Sequence, residues 1–95
     1  MKYFDWDDEK NQKLKRERGI GFEDIIISII EGEVIVTLAH PKRVNQNIYI
    51  VNIDNYAYAV PFVEDKEKYF LKTIYPSRTM TRKYLIKDKI WNILN

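Results

Sequence analysis

The spacing of apolar residues predicts two helices in the first third of the chain. Between residues 22 and 30, apolar side chains recur at intervals of three and four, as in a helix that buries one side. Residues 10–18 are good helix formers, but Leu14 is their one apolar member. Cations follow acidic residues in this region, the order that the helix dipole favours. We therefore expect a surface helix that ends at Gly19 and a half-buried helix that ends at Gly32.

The part of the chain after Gly32 has the composition of strands that are separated by short turns. The two residues Asp54 and Asn55 predict a tight hairpin, because both side chains tolerate positive φ. The other links are also short, which favours an antiparallel meander. Pro61 cannot donate a ladder hydrogen bond, so its strand is expected at a sheet edge or locally bulged. The four predicted strands cover residues 33–39, 47–53, 56–64 and 69–75.

Apolar residues return at helical spacing after Pro76 and predict a closing amphipathic helix over residues 79–94. The order is thus two helices, a four-stranded antiparallel sheet and a C-terminal helix, which is an α+β fold with helices packed on one sheet. A chain of 95 residues with 45% apolar content suits a single domain over residues 1–95.

The composition excludes several kinds of chemistry. The chain has no cysteine, so disulfides, thiolate catalysis and cysteine-based zinc sites are ruled out. His40 is the one histidine, which disfavours a metal site built on histidines, and we expect neither a metal nor a cofactor. No apolar run approaches the roughly 20 residues of a membrane span, and no signal peptide is apparent at the N-terminus. A cytoplasmic protein without a membrane partner is the expectation.

The net charge of +2 conceals an uneven distribution. Residues 10–18 carry five cations and one anion, and residues 72–95 carry six cations and one anion. Residues 21–71 have eight carboxylates against four cations. This asymmetry predicts one positive face that suits a polyanion, the alternative being an ordinary solvated surface.

The end of the last predicted strand is the strongest candidate for chemistry. Residues 69–75 run into Pro76, Ser77 and Arg78, so a hydroxyl and a cation lie at the end of a rigid element. Arg78 is the first candidate for a phosphate clamp, because a guanidinium can engage two phosphate oxygens at once. The alternative is a surface arginine paired with an acid such as Glu67.

Other side chains could assist at such a site. His40 is the acid–base candidate, since histidine changes charge near neutral pH, although a loop histidine can equally be a hydrogen-bonding residue. Tyr84 could donate a proton or stack on a base, or could be half buried in the core. Ser77 and Thr81 are expected to cap the closing helix. The remaining cations predicted to add positive potential are Lys72, Lys10, Arg18, Arg82 and Lys83.

Three blocks of the sequence resemble BrnT-type toxins, which belong to the RelE-like fold group. The similarity covers most of residues 3–84 and rests on short, spaced motifs. Where that family usually has a histidine before the glycine of the first helix, this chain has Arg18. The matching residues are Phe4 to Asp7, Lys10-Asn11, Leu14-Lys15 and Arg18 to Asp24; His40-Pro41 to Gln46 and Tyr58 to Val63; and Lys72 to Ile74, Pro76 to Arg78 and Thr81 to Tyr84.

The resemblance implies the toxin half of a type II toxin–antitoxin pair. It implies metal-independent RNA cleavage, in which a ribose 2′-hydroxyl attacks the adjacent phosphate. Such a reaction needs a base, an acid and cations for the developing charge. It also implies silencing by a cognate antitoxin, a small DNA-binding protein.

Two other interpretations remain open from the sequence. The first is a non-catalytic RelE-like binding module that docks an antitoxin-like protein or RNA through its basic residues. The second is a sequence-independent RNA-binding protein with no protein partner, whose affinity would fall steeply with salt.

Overall fold

The structure is a computed structural model that describes residues 2–86. A short strand precedes two helices, five further strands follow, and a short helix continued by a π-helical turn comes last. The elements are β1 (Tyr3–Asp5), α1 (Asp8–Arg18), α2 (Phe22–Ile30), β2 (Val34–Ala39), β3 (Gln46–Ile53), β4 (Tyr56–Glu64), β5 (Lys68–Leu71), β6 (Tyr75–Pro76), α3 (Arg78–Thr81) and the π-helical turn (Arg82–Ile86).

Local sequence accounts for the ends of the first two helices. The Asp7 carboxylate caps α1 by accepting the N–H of Glu9 at 2.9 Å, and Gly19 ends the helix with φ of +71°. The Asp24 carboxylate accepts the Gly21 N–H at 2.9 Å at the start of α2. The predicted bounds of α2 are confirmed, and the predicted surface helix exists as α1.

The sheet has the order β1-β5-β4-β3-β2, with β6 also paired to β4. The antiparallel run from β2 to β5 is confirmed, as is the hairpin, where Asp54 and Asn55 have φ of +52° and +66°. The predicted count of four strands and the purely antiparallel sheet are wrong, because β1 pairs in parallel with β5. At three residues, β1 is too short to show an alternating pattern. It is held by backbone pairing and by an ion pair of 3.0 Å between Asp5 and Lys68.

Pro61 lies on a central strand, so of the two predicted alternatives the edge placement is wrong and a local irregularity of the ladder is the one found. On the side of β4 that Pro61 faces, β5 pairs only with residues 62–64 and β6 only with residues 58–59. The Pro61 carbonyl accepts the Lys72 N–H at 2.8 Å. The Pro61 nitrogen, which has no hydrogen to donate, faces the same side of the strand as this carbonyl. The interruption beside Pro61 therefore divides the fourth predicted strand into β5 and β6.

Helices pack on both faces of the sheet. On one face, α1 and α2 bury the larger core. On the other face, Met80 and Leu85 of the C-terminal helical segment pack against Ile50, Ala57 and Ala59. The predicted closing helix begins one residue early, at Arg78, and its part beyond residue 86 lies outside the described residues. No helix among residues 2–86 combines the length and the apolar content needed to cross a bilayer. The larger core contains Leu14, Phe22, Ile25, Val51, Val60, Phe62, Leu71 and Ile74.

Candidate functional site

Arg18 joins the end of α1 to the segment between β5 and β6. Its Nη1 donates a hydrogen bond of 2.7 Å to the Ile74 carbonyl. The Ile74 side chain is fully buried, so the core fixes the position of that carbonyl. Lys72 lies two residues before Ile74 and Arg78 four residues after it, and both side chains are exposed. We call Arg18, Lys72 and Arg78 the basic corner.

The backbone around Arg78 is held on both sides. The Ser77 N–H donates to the Ala57 carbonyl at 2.9 Å, which attaches the start of α3 to β4. The Ser77 hydroxyl accepts the Met80 N–H at 3.2 Å, so its predicted role as a helix cap is confirmed. Arg78 is the first residue of this capped turn, and its side chain extends from a fixed backbone.

Thr81 does not cap the helix as predicted; it is a buried link between α3 and the sheet. Its side chain is 3% exposed. Its hydroxyl accepts the Ala57 N–H at 2.8 Å and donates to the Ser77 carbonyl at 2.8 Å. The first bond holds the turn that carries Arg78 against β4, and the second lies within that turn.

Replacing Thr81 with valine should lower the free energy of unfolding by about 2 kcal/mol, because the Ala57 N–H loses its buried acceptor. Thr81→Ser keeps the hydroxyl and should cost clearly less. Urea unfolding of both variants measures the difference. Equal losses in the two variants would show that the hydroxyl bond contributes little.

The cations of the basic corner lack carboxylate partners within residues 2–86. The ion pairs in this part of the chain join Lys2 to Glu64, Lys15 to Glu23 and Lys68 to Asp5. The alternative pairing of Arg78 with Glu67 is therefore not formed. Positive charge at the basic corner is available to an anion from outside this region.

The other candidate cations extend the positive surface in two directions. Arg82 and Lys83 follow α3 and are exposed. The Lys83 ammonium lies 5.3 Å from the centre of the half-buried Tyr84 ring. Lys10 belongs to the first turns of α1, about 12 Å along the helix axis from Arg18.

His40 serves the turn that follows β2. Its Nδ1 accepts the backbone N–H groups of Lys42 and Arg43, each at 3.1 Å. A neutral imidazole that accepts at Nδ1 carries its proton on Nε2. In this arrangement, the Nε2–H can donate a hydrogen bond, but neither ring nitrogen is free to act as a base.

The structure does not bring His40 to the basic corner. His40 follows Ala39, which lies level with Phe62 of β4, whereas Pro76 lies level with Tyr58. Three strand spacings of about 4.8 Å and four residues of about 3.3 Å separate the two corners of the sheet, on the order of 20 Å in all. A single phosphate cannot contact both His40 and Arg78 across that distance.

Asn11, to which the sequence pattern assigned no role, fixes α1 to α2. Its side chain is 2% exposed, and its Oδ1 accepts the Phe22 N–H at 2.8 Å. Its Nδ2 donates to the Glu23 carboxylate at 2.9 Å, which the Lys15 ammonium also contacts at 3.0 Å. A Cβ on Gly21 would lie 2.9 Å from the Asn11 Oδ1, so the close approach requires glycine. One feature of the sequence indicated this role: Asn11 lies three residues before Leu14, so both are on the same side of α1.

The same contacts lower the pKa of Glu23 to about 2, chiefly through the Asn11 hydrogen bond, with bonds from its own backbone N–H and Lys15 contributing less. The pKa in the folded state is thus below the ordinary value of 4.5. The resulting stability is fully present above pH 4.5 and is lost as the pH falls towards 2.

Between these two pH values, the wild type should lose more stability than a Glu23→Gln variant, which has no carboxylate to titrate at this position. Urea unfolding at intervals across this range measures both slopes. Identical slopes would contradict the assignment of this pH dependence to Glu23.

Comparisons of the chain with protein-family models, with curated proteins and with solved structures found no match. Within residues 2–86, no three histidine, aspartate or glutamate side chains cluster in a way that could hold a metal ion. The basic corner and the sequence motifs that contain it are the features that bear on function.

Proposed function

We propose that this chain is an RNA-cleaving toxin of a type II toxin–antitoxin pair, similar to the BrnT-type toxins of the RelE-like fold group. The observation that carries the proposal is the Arg18–Ile74 contact of 2.7 Å, in a segment with the exposed cations Lys72, two residues before Ile74, and Arg78, four residues after it. Such a site suits a polyanion that is held at the end of a rigid sheet. RNA in the cytoplasm is the proposed substrate.

The proposed reaction needs only the RNA, the protein and a water molecule. The ribose 2′-oxygen forms a bond to the adjacent phosphorus, and the bond from phosphorus to the 5′-oxygen breaks. The products are a 2′,3′-cyclic phosphate and a free 5′-hydroxyl. One proton leaves the 2′-hydroxyl and one is added to the departing 5′-oxygen, so the atoms balance.

The residues of the basic corner have separate roles in this proposal. Arg78 binds two oxygens of the phosphate and stabilises the extra negative charge of the transition state. Lys72 adds positive potential, while Arg18 keeps the connecting segment in place through Ile74. Tyr84 is the proposed proton donor to the 5′-oxygen, and a water molecule accepts the 2′ proton, because His40 is too far away.

In this proposal, the antitoxin silences the toxin by binding to the basic corner. An acidic segment of the antitoxin would occupy the basic corner and exclude RNA. Tyr75, between β5 and α3, is 39% exposed and gives such a segment an apolar contact. We propose that Arg82 and Lys83 on one side and Lys10 on the other widen the region that RNA or the antitoxin contacts.

Expression in cells tests the proposal directly. Without a partner, the wild type should slow growth and degrade RNA, whereas Arg78→Ala should do neither at the same protein level. The non-catalytic binding module makes a different prediction: neither protein would degrade RNA, and Arg78→Ala would only weaken the binding of a partner. A harmless wild type with intact cellular RNA would overturn the proposed cleavage.

A further inference from the structure

The strand β2 ends the sheet on one side, and its composition leaves that edge unprotected. Among residues 2–86, β3 is the one strand that pairs with β2. Val34–Ala39 contains no charged residue and no proline, two of the means of preventing strand addition at an edge, and its one register irregularity lies at the start of the strand, between Val34 and Val36. An edge of this kind is a template for another strand.

The register shows which backbone groups of β2 are free. The His40 N–H donates to the Gln46 carbonyl at 3.0 Å, so His40 turns its backbone groups towards β3. Because antiparallel residues alternate in this respect, Leu38 also faces β3, while Thr37 and Ala39 direct their N–H and C=O groups away from it. Thr37 and Ala39 are both exposed, so the face that their side chains share is open to solvent next to this edge.

We infer that the partner at this edge is a second copy of the chain, paired antiparallel through β2 around a two-fold axis at Thr37. In that arrangement, the outward backbone groups of Thr37 bond to those of the same residue in the second copy. Residues opposite each other in a continuous sheet share a face, and the two Thr37 side chains meet this condition. The two sheets become one continuous sheet.

Charge at the two ends of β2 supports this partner. Glu31 and Glu33 precede the strand, and Lys42 and Arg43 follow it, all with exposed side chains. A two-fold antiparallel pairing places the acidic end of each copy beside the basic end of the other, so the dimer has two such junctions. The complementarity favours antiparallel self-association over a parallel arrangement, in which like charges would meet.

Sedimentation velocity of the full chain over a range of concentrations tests the inference. The wild type should change from monomer to dimer as its concentration rises. Thr37→Pro removes an outward N–H and leaves the bonds to β3 intact, so it should keep the circular dichroism spectrum and weaken the dimer at least tenfold. Thr37→Val keeps the N–H and should dimerise like the wild type.

A charge exchange keeps the test decisive if the proline variant fails to fold. Glu31→Lys with Glu33→Lys places four cations at each junction and should weaken the dimer about tenfold or more. Lys42→Glu with Arg43→Glu should do the same, and all four changes together should restore association. A wild type that is monomeric at every concentration, or a dimer whose affinity is the same in these variants, would overturn the inference. None of these residues belongs to the basic corner, so failure here leaves the proposed function unaffected.

Discussion

The Arg78→Ala variant is expected to cleave RNA on the order of 10²–10³ times more slowly than the wild type, because it loses the main group that stabilises charge on the phosphate. Arg78→Lys keeps a positive charge but cannot bind two oxygens in the same fork, so it should have an intermediate rate. Single-turnover cleavage of a short RNA with excess protein measures the chemical step apart from product release.

Arg43→Ala provides a matched control for this experiment. Arg43 is also an exposed arginine, but it lies beside His40 at the other corner of the sheet. The variant has the same loss of net charge as Arg78→Ala, and its rate should stay near that of the wild type. Similar rates for the two variants would mean that the overall positive charge of the protein supports the reaction and that Arg78 makes no specific contact with the phosphate.

Asn11→Ala should lower the free energy of unfolding by about 3 kcal/mol, because it leaves a buried N–H of Phe22 without an acceptor and removes a bond to a charged carboxylate. The variant should also raise the pKa of Glu23, since Asn11 is the largest cause of its low value. Urea unfolding measures the first effect, and NMR titration of the carboxyl carbon measures the second.

Lys15→Ala is the control for the Asn11 variant. It removes another partner of Glu23, but the Lys15 and Glu23 side chains are 41% and 50% exposed, so the loss should be between about 0 and 1 kcal/mol. A comparable loss in both variants would show that Asn11 does not fix α1 to α2 as its contacts indicate. Because α1 carries Arg18, the Asn11 variant should also reduce cleavage.

Local signals were sufficient to predict several elements of this fold. The spacing of isoleucines after Phe22 gave both ends of α2, and Asp54-Asn55 gave the position of the hairpin. These features depend on residues that lie close together in sequence. Their physical causes, helical periodicity and tolerance of positive φ, act within a few residues.

The features that sequence reasoning missed depend on distant residues. The parallel pairing of β1 with β5 joins Tyr3 to Lys68, and no local pattern indicates it. Pro61 was expected at an edge or at a bulge, and the missing N–H alone could not show that the interruption lies in the neighbouring strand. Both errors concern which strand is the neighbour, and this is decided by the packing of the whole sheet.

The candidate site was predictable to a similar extent. Arg78 was chosen from its position after a strand and Lys72 as a source of positive potential, and both remain predictions. The bond from Arg18 to the Ile74 carbonyl connects segments 56 residues apart, which no motif reveals. His40 was grouped with Arg78 on chemical grounds alone, and the register of β2, β3 and β4 separates them.

Cleavage of a modified RNA is the sharpest test of the proposed attack by the 2′-hydroxyl. The purified chain, free of any partner and in the presence of a chelator, is given an RNA and the same RNA with 2′-O-methyl riboses throughout. The claim predicts that the unmodified RNA is cut to fragments that end in a 2′,3′-cyclic phosphate and that the methylated RNA stays intact. An intact unmodified RNA, or equal cleavage of both, would contradict the claim that this chain directs a 2′-hydroxyl attack on RNA.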